Sequence, residues 1–211
     1  MTTLVKICGL STPETMDAAL DAGADFVGLV FFPKSPRNVL LRPAAALAAQ
    51  ARGRARVVTL TVDGDDRLLG DIAETVKPDL FQLHGTETPE RLSRIKALTG
   101  IPAFKALRVR DAADVAKAKA YAASPFILYD AMPPEGAALP GGNGLTFDWT
   151  ILREAARPFM LAGGLTPGNV AEAIRVTGAD MVDVSSGVES APGIKDIALI
   201  RKFIEAVRSS G

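Results

Sequence analysis

Two kinds of apolar pattern alternate along the 211-residue chain, and together they predict its architecture. The first is a short, strand-like run. Leu4-Val-Lys-Ile-Cys-Gly9 sets Leu4, Lys6 and Cys8 on one side of an extended segment and Val5 and Ile7 on the other, and it stops at a glycine. Residues 25–32 are apolar almost throughout, as in strands of a parallel sheet buried on both faces. Similar runs follow at 56–62, 80–84, 103–109, 125–130, 158–162 and 181–185. The second kind is helical. Ser11 and Glu14 stand at capping-box spacing with Pro13 suited to an early position, which predicts a helix to about Ala22 ended by Gly23. Pro43 opens an alanine-rich helix, 68–76 is helical, and Pro89 opens a helix that ends at Gly100. Asp111 caps a helix over 112–120, shorter ones fall near 148–155 and 169–176, and Ile197, Ile200, Ile204 and Val207 mark the last.

Eight strand-helix units in 211 residues (211/8) average about 26 residues each, and an internal echo carries that period. The turn Gly23-Ala-Asp25 returns as Gly178-Ala-Asp180, with Lys77-Pro-Asp79 in the same part. Parallel strands joined by helical crossovers, eight times over, predict an α/β fold of one domain spanning 1–211, a closed (β/α)8 TIM barrel. A doubly wound open sheet is the competing arrangement, but it rarely needs eight such even units.

Composition narrows the function. The hydrophobic fraction of 48% suits a packed core rather than disorder. Twenty-four basic and 24 acidic residues cancel without a basic block, so the chain is not expected to bind nucleic acid or a membrane. One cysteine and one histidine exclude an internal disulfide and a Cys/His metal cluster; no metal is expected. With no signal peptide and no bilayer-length apolar run, a cytoplasmic protein is expected.

Active sites of such barrels lie at the carboxyl ends of the strands. The candidates there are Cys8, the loop Pro33-Lys-Ser-Pro-Arg-Asn38, His84, Asp130, Gly141-Gly-Asn-Gly144, Gly163-Gly164 and Ser185-Ser-Gly187. Glycines admit an anion to backbone N–H groups, and the segments after strands seven and eight hold the usual phosphate position. Asp130 reads either as a turn aspartate or as a general acid. Cys8 reads either as a small core hydrophobe or as a reactive thiol whose thiolate a nearby Lys6 would favour. Strands one and eight are neighbours in a closed barrel, so Lys6 and Asp183 are expected to pair inside it, as a structural ion pair or as part of a network that tunes the site. Arg37 is either solvated or held by prolines to grip a carboxylate. His84 is a mouth residue by strand parity, with packing as its alternative role.

Lys6-Ile-Cys-Gly-Leu10, Gly28-Leu-Val-Phe-Phe with Ser35-Pro-Arg37, Gln82-Leu-His-Gly85, Asp130, Phe147-Asp-Trp149, Leu161-Ala-Gly-Gly-Leu165 and Asp183-Val-Ser-Ser-Gly-Val-Glu189 together resemble the phosphoribosylanthranilate isomerase family, in order from the first strand to the eighth. The resemblance implies an aldose-ketose isomerase of tryptophan biosynthesis that needs no cofactor. It implies Asp130 as general acid, Cys8 as general base, Arg37, His84 and Asp183 around the small-molecule substrate, and Gly142, Asn143, Gly144, Gly163, Gly164, Ser185, Ser186 and Gly187 around its phosphate. The family commonly has Thr or Ser where this chain has Asn143. A homodimer is one open oligomeric state. Two alternatives stand beside this reading: indole-glycerol-phosphate synthase, whose lysine and glutamate catalysts have no matching motif here, and a non-catalytic barrel that senses a phosphorylated metabolite.

Overall fold

The computed structural model describes residues 2–131, 148–156 and 158–210. Eight strands form a closed, wholly parallel barrel in chain order: β1 (Leu4–Cys8), β2 (Phe26–Phe31), β3 (Arg56–Thr61), β4 (Leu80–Leu83), β5 (Ala103–Val109), β6 (Ile127–Ala131), β7 (Phe159–Leu161) and β8 (Met181–Val184). Strand β8 returns to β1, with Lys6 opposite Asp183. The predicted (β/α)8 barrel is therefore the observed one.

The outer layer comprises α1 (Pro13–Asp21), α2 (Leu41–Ala51), α3 (Asp66–Thr75), α4 (Pro89–Thr99), α5 (Ala112–Ala116), α6 (Val170–Thr177) and α7 (Ile197–Arg208). The cap of α1 is Thr12 rather than Ser11: Thr12 Oγ1 accepts from the Thr15 N–H at 3.3 Å. Pro13, at the first helical position, puts the cap on the residue just before it. Helix α5 is shorter than the expected 112–120 and passes into a 3-10 turn at Lys117–Tyr121. Around 148–155 the described helix is one 3-10 turn, Trp149–Leu152, capped by Asp148.

Strand parity sorts the apolar residues into two layers. Phe26, Val58, Leu80, Phe104, Leu128, Met160 and Met181 fill the barrel, while Val5, Ile7, Val27, Phe81, Tyr129, Leu161 and Val182 face the helices. The repeated turn aspartates lace the amino ends of the strands. Asp25, entering β2, accepts the Val5 N–H of β1 at 2.8 Å, and Asp79, entering β4, accepts the Val57 N–H of β3 at 2.6 Å. Asp180, entering β8, accepts the Phe159 N–H of β7 at 3.0 Å. Between β5 and β6 a serine takes that part, Ser124 Oγ accepting from the Lys105 N–H at 3.1 Å.

One charged pair interrupts the apolar filling. Lys6 Nζ lies 2.9 Å from Asp183 Oδ1, with the lysine wholly buried. Burial works against the ammonium, yet the Asp183 carboxylate beside it prevails and raises the Lys6 pKa. Removing one partner of such a pair strands a buried charge at a cost of about 3–5 kcal/mol. Lys6→Met is thus expected to lower the melting temperature by roughly 6–20 °C, at about 2–4 °C per kcal/mol for a domain of this size. A shift under about 2 °C in a thermal melt would contradict that cost.

Candidate active site

Cys8 ends β1 on the inward side, directly above Lys6. Its thiol is buried, and Gly28 of β2 makes the space: a Cβ there would stand 2.9 Å from Cys8 Sγ and 3.1 Å from Lys6 Nζ. Thiol and ammonium thus converge over a residue that has no side chain. Burial pushes the Cys8 pKa up; Lys6 and, more weakly, Lys195 pull it down, while Asp183 adds to the rise. The net direction is upward, so the thiolate that Lys6 was expected to favour stays the minor form at neutral pH. The cause is desolvation, which the sequence pattern does not express.

Asp130 lies on β6 with its side chain on the inward face shared with Leu128, and it is buried. Its Oδ2 is 3.2 Å from His84 Nε2, off the line of a full hydrogen bond. His84 follows β4, and its Nδ1 is 3.0 Å from Gln82 Nε2. Arg108 stands opposite Asp130 in the β5–β6 register and donates to the His84 carbonyl at 3.1 Å. The turn carrying His84 is fastened from the outer side: Lys105 Nζ donates to the carbonyls of Leu83 (3.1 Å) and Gly85 (2.8 Å) and pairs with Glu87 at 2.8 Å. Burial lowers the Lys105 pKa against the pull of Glu87.

Arg37 is buried rather than solvated. The loop after β2 folds back so that the Val39 N–H reaches the Val30 carbonyl at 2.9 Å, and Ser35 Oγ accepts the Arg37 N–H at 3.2 Å. The arginine stem crosses Gly9, where a Cβ would meet Arg37 Cδ at 2.7 Å and where φ is +81°. Its fork closes on Glu189, Nε to Oε1 at 2.7 Å and Nη2 to Oε2 at 2.8 Å. Glu189 begins β9 (Glu189–Ala191), which pairs antiparallel with β10 (Ile194–Lys195) in a hairpin that the apolar pattern missed. Lys195 Nζ completes the cluster, 2.7 Å from Glu189 Oε1, 2.8 Å from the Ser185 carbonyl and 3.2 Å from Ser185 Oγ. Burial pushes the Glu189 carboxyl up, but the Arg37 hydrogen bond and the Lys195 charge outweigh it, and the pKa falls below the ordinary value. Two cations around one carboxylate leave a net positive charge beside the mouth.

Ser185 Oγ in turn donates to the Cys8 carbonyl at 3.1 Å, which ties this cluster to the end of β1. Ser186 and Gly187 begin a 3-10 turn (Ser186–Val188); a Cβ at Gly187 would collide with the Leu165 carbonyl oxygen, so the two late loops touch. Gly163 and Gly164 have φ of +89° and +63°, and a Cβ at Gly163 would collide with the backbone nitrogen of Ala131 and lie 2.9 Å from Asp130 Oδ1. Only glycine takes that conformation with β6 so near. Asp183 has one carboxylate oxygen on Lys6, below the thiol. Gly142, Asn143 and Gly144, like the 132–136 stretch, lie outside the described residues.

The sequence pattern puts Cys8, Asp130 and His84 at the carboxyl ends of their strands and pairs Lys6 with Asp183 inside the barrel, and the structure has them in those places. The pattern passed over Glu189, Lys195, Arg108 and Gln82. Glu189 and Gln82 sit inside motifs that drew attention, and Ala191-Pro-Gly193 is a turn signal that would have located the hairpin.

With a thiol beside an ammonium, a carboxyl beside an imidazole and glycine loops between them, the site can move protons on a small anionic molecule. Residues 5–206 match the family described as N-(5'-phosphoribosyl)anthranilate (PRA) isomerase. The N-(5'-phosphoribosyl)anthranilate isomerase of Rhodopseudomonas palustris (strain BisB5) is 57% identical over all of this chain and 98% of its own length. A crystal structure of phosphoribosylanthranilate isomerase in complex with reduced 1-(o-carboxyphenylamino)-1-deoxyribulose 5-phosphate is 33% identical, with a TM-score of 0.86 over 98% of this chain and 99% of that one. Monomers generated from the dimeric enzyme of Thermotoga maritima are 34% identical, with a TM-score of 0.85 over 98% and 99%. Barrel, strand-end chemistry and whole-chain likeness agree: the chain belongs to the phosphoribosylanthranilate isomerase family.

Proposed function

We propose that this isomerase carries out the cofactor-free Amadori rearrangement of N-(5-phosphoribosyl)anthranilate to 1-(2-carboxyphenylamino)-1-deoxyribulose 5-phosphate, a step of tryptophan biosynthesis, with Asp130 as acid and Cys8 as base. Asp130 gives a proton to the ribose ring oxygen as the C1–O bond breaks, and C1 becomes an iminium. That cation acidifies the neighbouring C2–H, within reach of a modest base, and Cys8 takes the proton to leave an enolamine. A proton then arrives at C1 as the C2 hydroxyl proton leaves, which gives the ketone and, with one proton passed in net from Cys8 back to Asp130, restores both groups. The observation that carries this reading is the pairing, at one barrel mouth, of a buried thiol against Lys6 with a buried carboxyl against His84.

The substrate's two anionic ends have matching surroundings. Arg37 keeps Nη1 for the anthranilate carboxylate while Glu189 holds the rest of its fork. Gly163, Gly164, Ser185, Ser186 and Gly187 form the phosphate cradle, and Asp183 and His84 flank the sugar. The working protein is a cytoplasmic enzyme and a homodimer like the Thermotoga maritima relative; no helix among the described residues is long and apolar enough to cross a membrane. The test is the fluorescence of freshly made phosphoribosylanthranilate, followed as it is consumed. A non-catalytic sensor would bind the product yet leave the substrate signal at its uncatalysed decay.

A further inference from the structure

Under Asp130 lies a buried polar chain that the steps above do not use. Gln82 is wholly buried on the inward face of β4, its Nε2 3.0 Å from His84 Nδ1, and its Oε1 has no hydrogen-bond partner among the described residues. His84 Nε2 in turn faces Asp130 Oδ2 at 3.2 Å. A buried acceptor without a partner carries a free-energy cost, and such a cost calls for an explanation. Here the amide leaves one end empty so that the other can face the imidazole.

We propose that Gln82 is a positioning residue for the reaction: by donating to Nδ1 it holds His84 as the Nε2–H tautomer, which occupies Oδ2 of Asp130 and leaves the transferable proton on Oδ1. The proposal rests on Asp130 being the acid. A neutral imidazole has one N–H and one lone pair, so an amide NH2 facing Nδ1 requires the lone pair there and the proton on Nε2. Nε2–H then stands 3.2 Å from a carboxylate oxygen, off the line of a full hydrogen bond, and each facing pair along the chain sets a donor against an acceptor. With the amide reversed, Oε1 would take Nδ1–H, and the bare Nε2 would accept the proton of a protonated Asp130. That proton would be trapped on Oδ2, facing the histidine rather than the sugar.

The two oxygens of Asp130 have different surroundings. Oδ2 faces His84, whereas Oδ1 faces Gly163, where a Cβ would stand 2.9 Å away. The loop after β7 can pack this closely against Asp130 because residue 163 has no side chain, so Oδ1 and Oδ2 meet different neighbours. Once the proton has left Oδ1, the carboxylate gains charge and the Nε2–H contact tightens on Oδ2. Hydrogen bonds of this kind are commonly misaligned before substrate arrives. The charged groups facing the imidazole and its turn are Asp130 on β6, Arg108 and Lys105 on β5, Glu87 beyond β4 and Asp63 in the loop after β3.

His84 is the chain's single histidine, so its ring nitrogens can be read without assignment. In 15N-histidine NMR of the unliganded wild-type protein, Nε2 is expected to be pyrrole-like and Nδ1 pyridine-like. Gln82→Glu, which offers only an acceptor, is expected to move the proton to Nδ1, and Gln82→Leu to give a mixture. Both variants are expected to lose kcat by about 10–100-fold, the scale seen when a residue that orients another catalytic group is removed, with KM within about threefold. A protonated Nδ1 in the wild type overturns the proposal with no variant needed. So does an unchanged tautomer in folded Gln82→Glu, or a change confined to KM. If Asp130→Asn keeps its turnover while the tautomer is as stated, the acid assignment has failed and the histidine geometry has not.

Discussion

Cys8→Ala is expected to cut turnover by about 10²–10⁴-fold, the range a positioned general base supplies, while the folded variant still binds the phosphorylated product. The thiol sits at the end of β1 with no bulk at Gly28 to hold it off, so removing sulfur leaves the barrel wall intact. The pH dependence has a definite sign. Burial raises the Cys8 pKa above its ordinary value, and the reactive thiolate accumulates only as pH rises. The kcat/KM of the wild type should therefore climb from neutral into alkaline pH. Alkylation by iodoacetamide should follow the same curve, because the chain has no other cysteine. Product should protect against it. A flat profile, or full activity in the alkylated protein, would remove Cys8 from its role.

Asp130→Asn is expected to lose a comparable factor of about 10²–10⁴ in kcat, since the amide has the shape of the carboxyl but no acidic proton to give to the ring oxygen. Product affinity should change little, as the groups placed around the phosphate and the carboxylate are in the loops after β2, β7 and β8. Near wild-type kcat in the folded variant would show that another group opens the ring. With both variants in hand, a double variant separates a shared step from two steps: losses that multiply belong to independent proton transfers, and losses that do not multiply belong to one.

The barrel was largely legible because its code is local. Apolar runs and their parity lie within each strand, and β5 matches its expected span of 103–109 residue for residue. Parity also placed Lys6 opposite Asp183, since closure makes β1 and β8 neighbours. What escaped was set by contacts between distant segments. Glu189 has meaning only beside Arg37 and Lys195, and Gln82 looked like one polar letter in an apolar strand. The thiol's pKa also escaped, because a neighbouring lysine is visible in sequence whereas the depth of burial is not. At α1 the capping-box spacing points to Ser11, whereas Pro13 at the first helical position puts the cap on Thr12.

The acceptors at the amino ends of the strands have a consequence for cutting and rejoining the chain. Each one ties an odd strand to the even strand after it, as Asp25, Asp79, Ser124 and Asp180 do in turn. The ring is in that respect four quarters, and a break between quarters, such as after α2 or α4, leaves every one of these ties within an uncut piece. Circular permutants opened at those seams inherit all four, whereas those opened inside a quarter, between β1 and β2 for example, must re-form one tie between the two ends of the new chain.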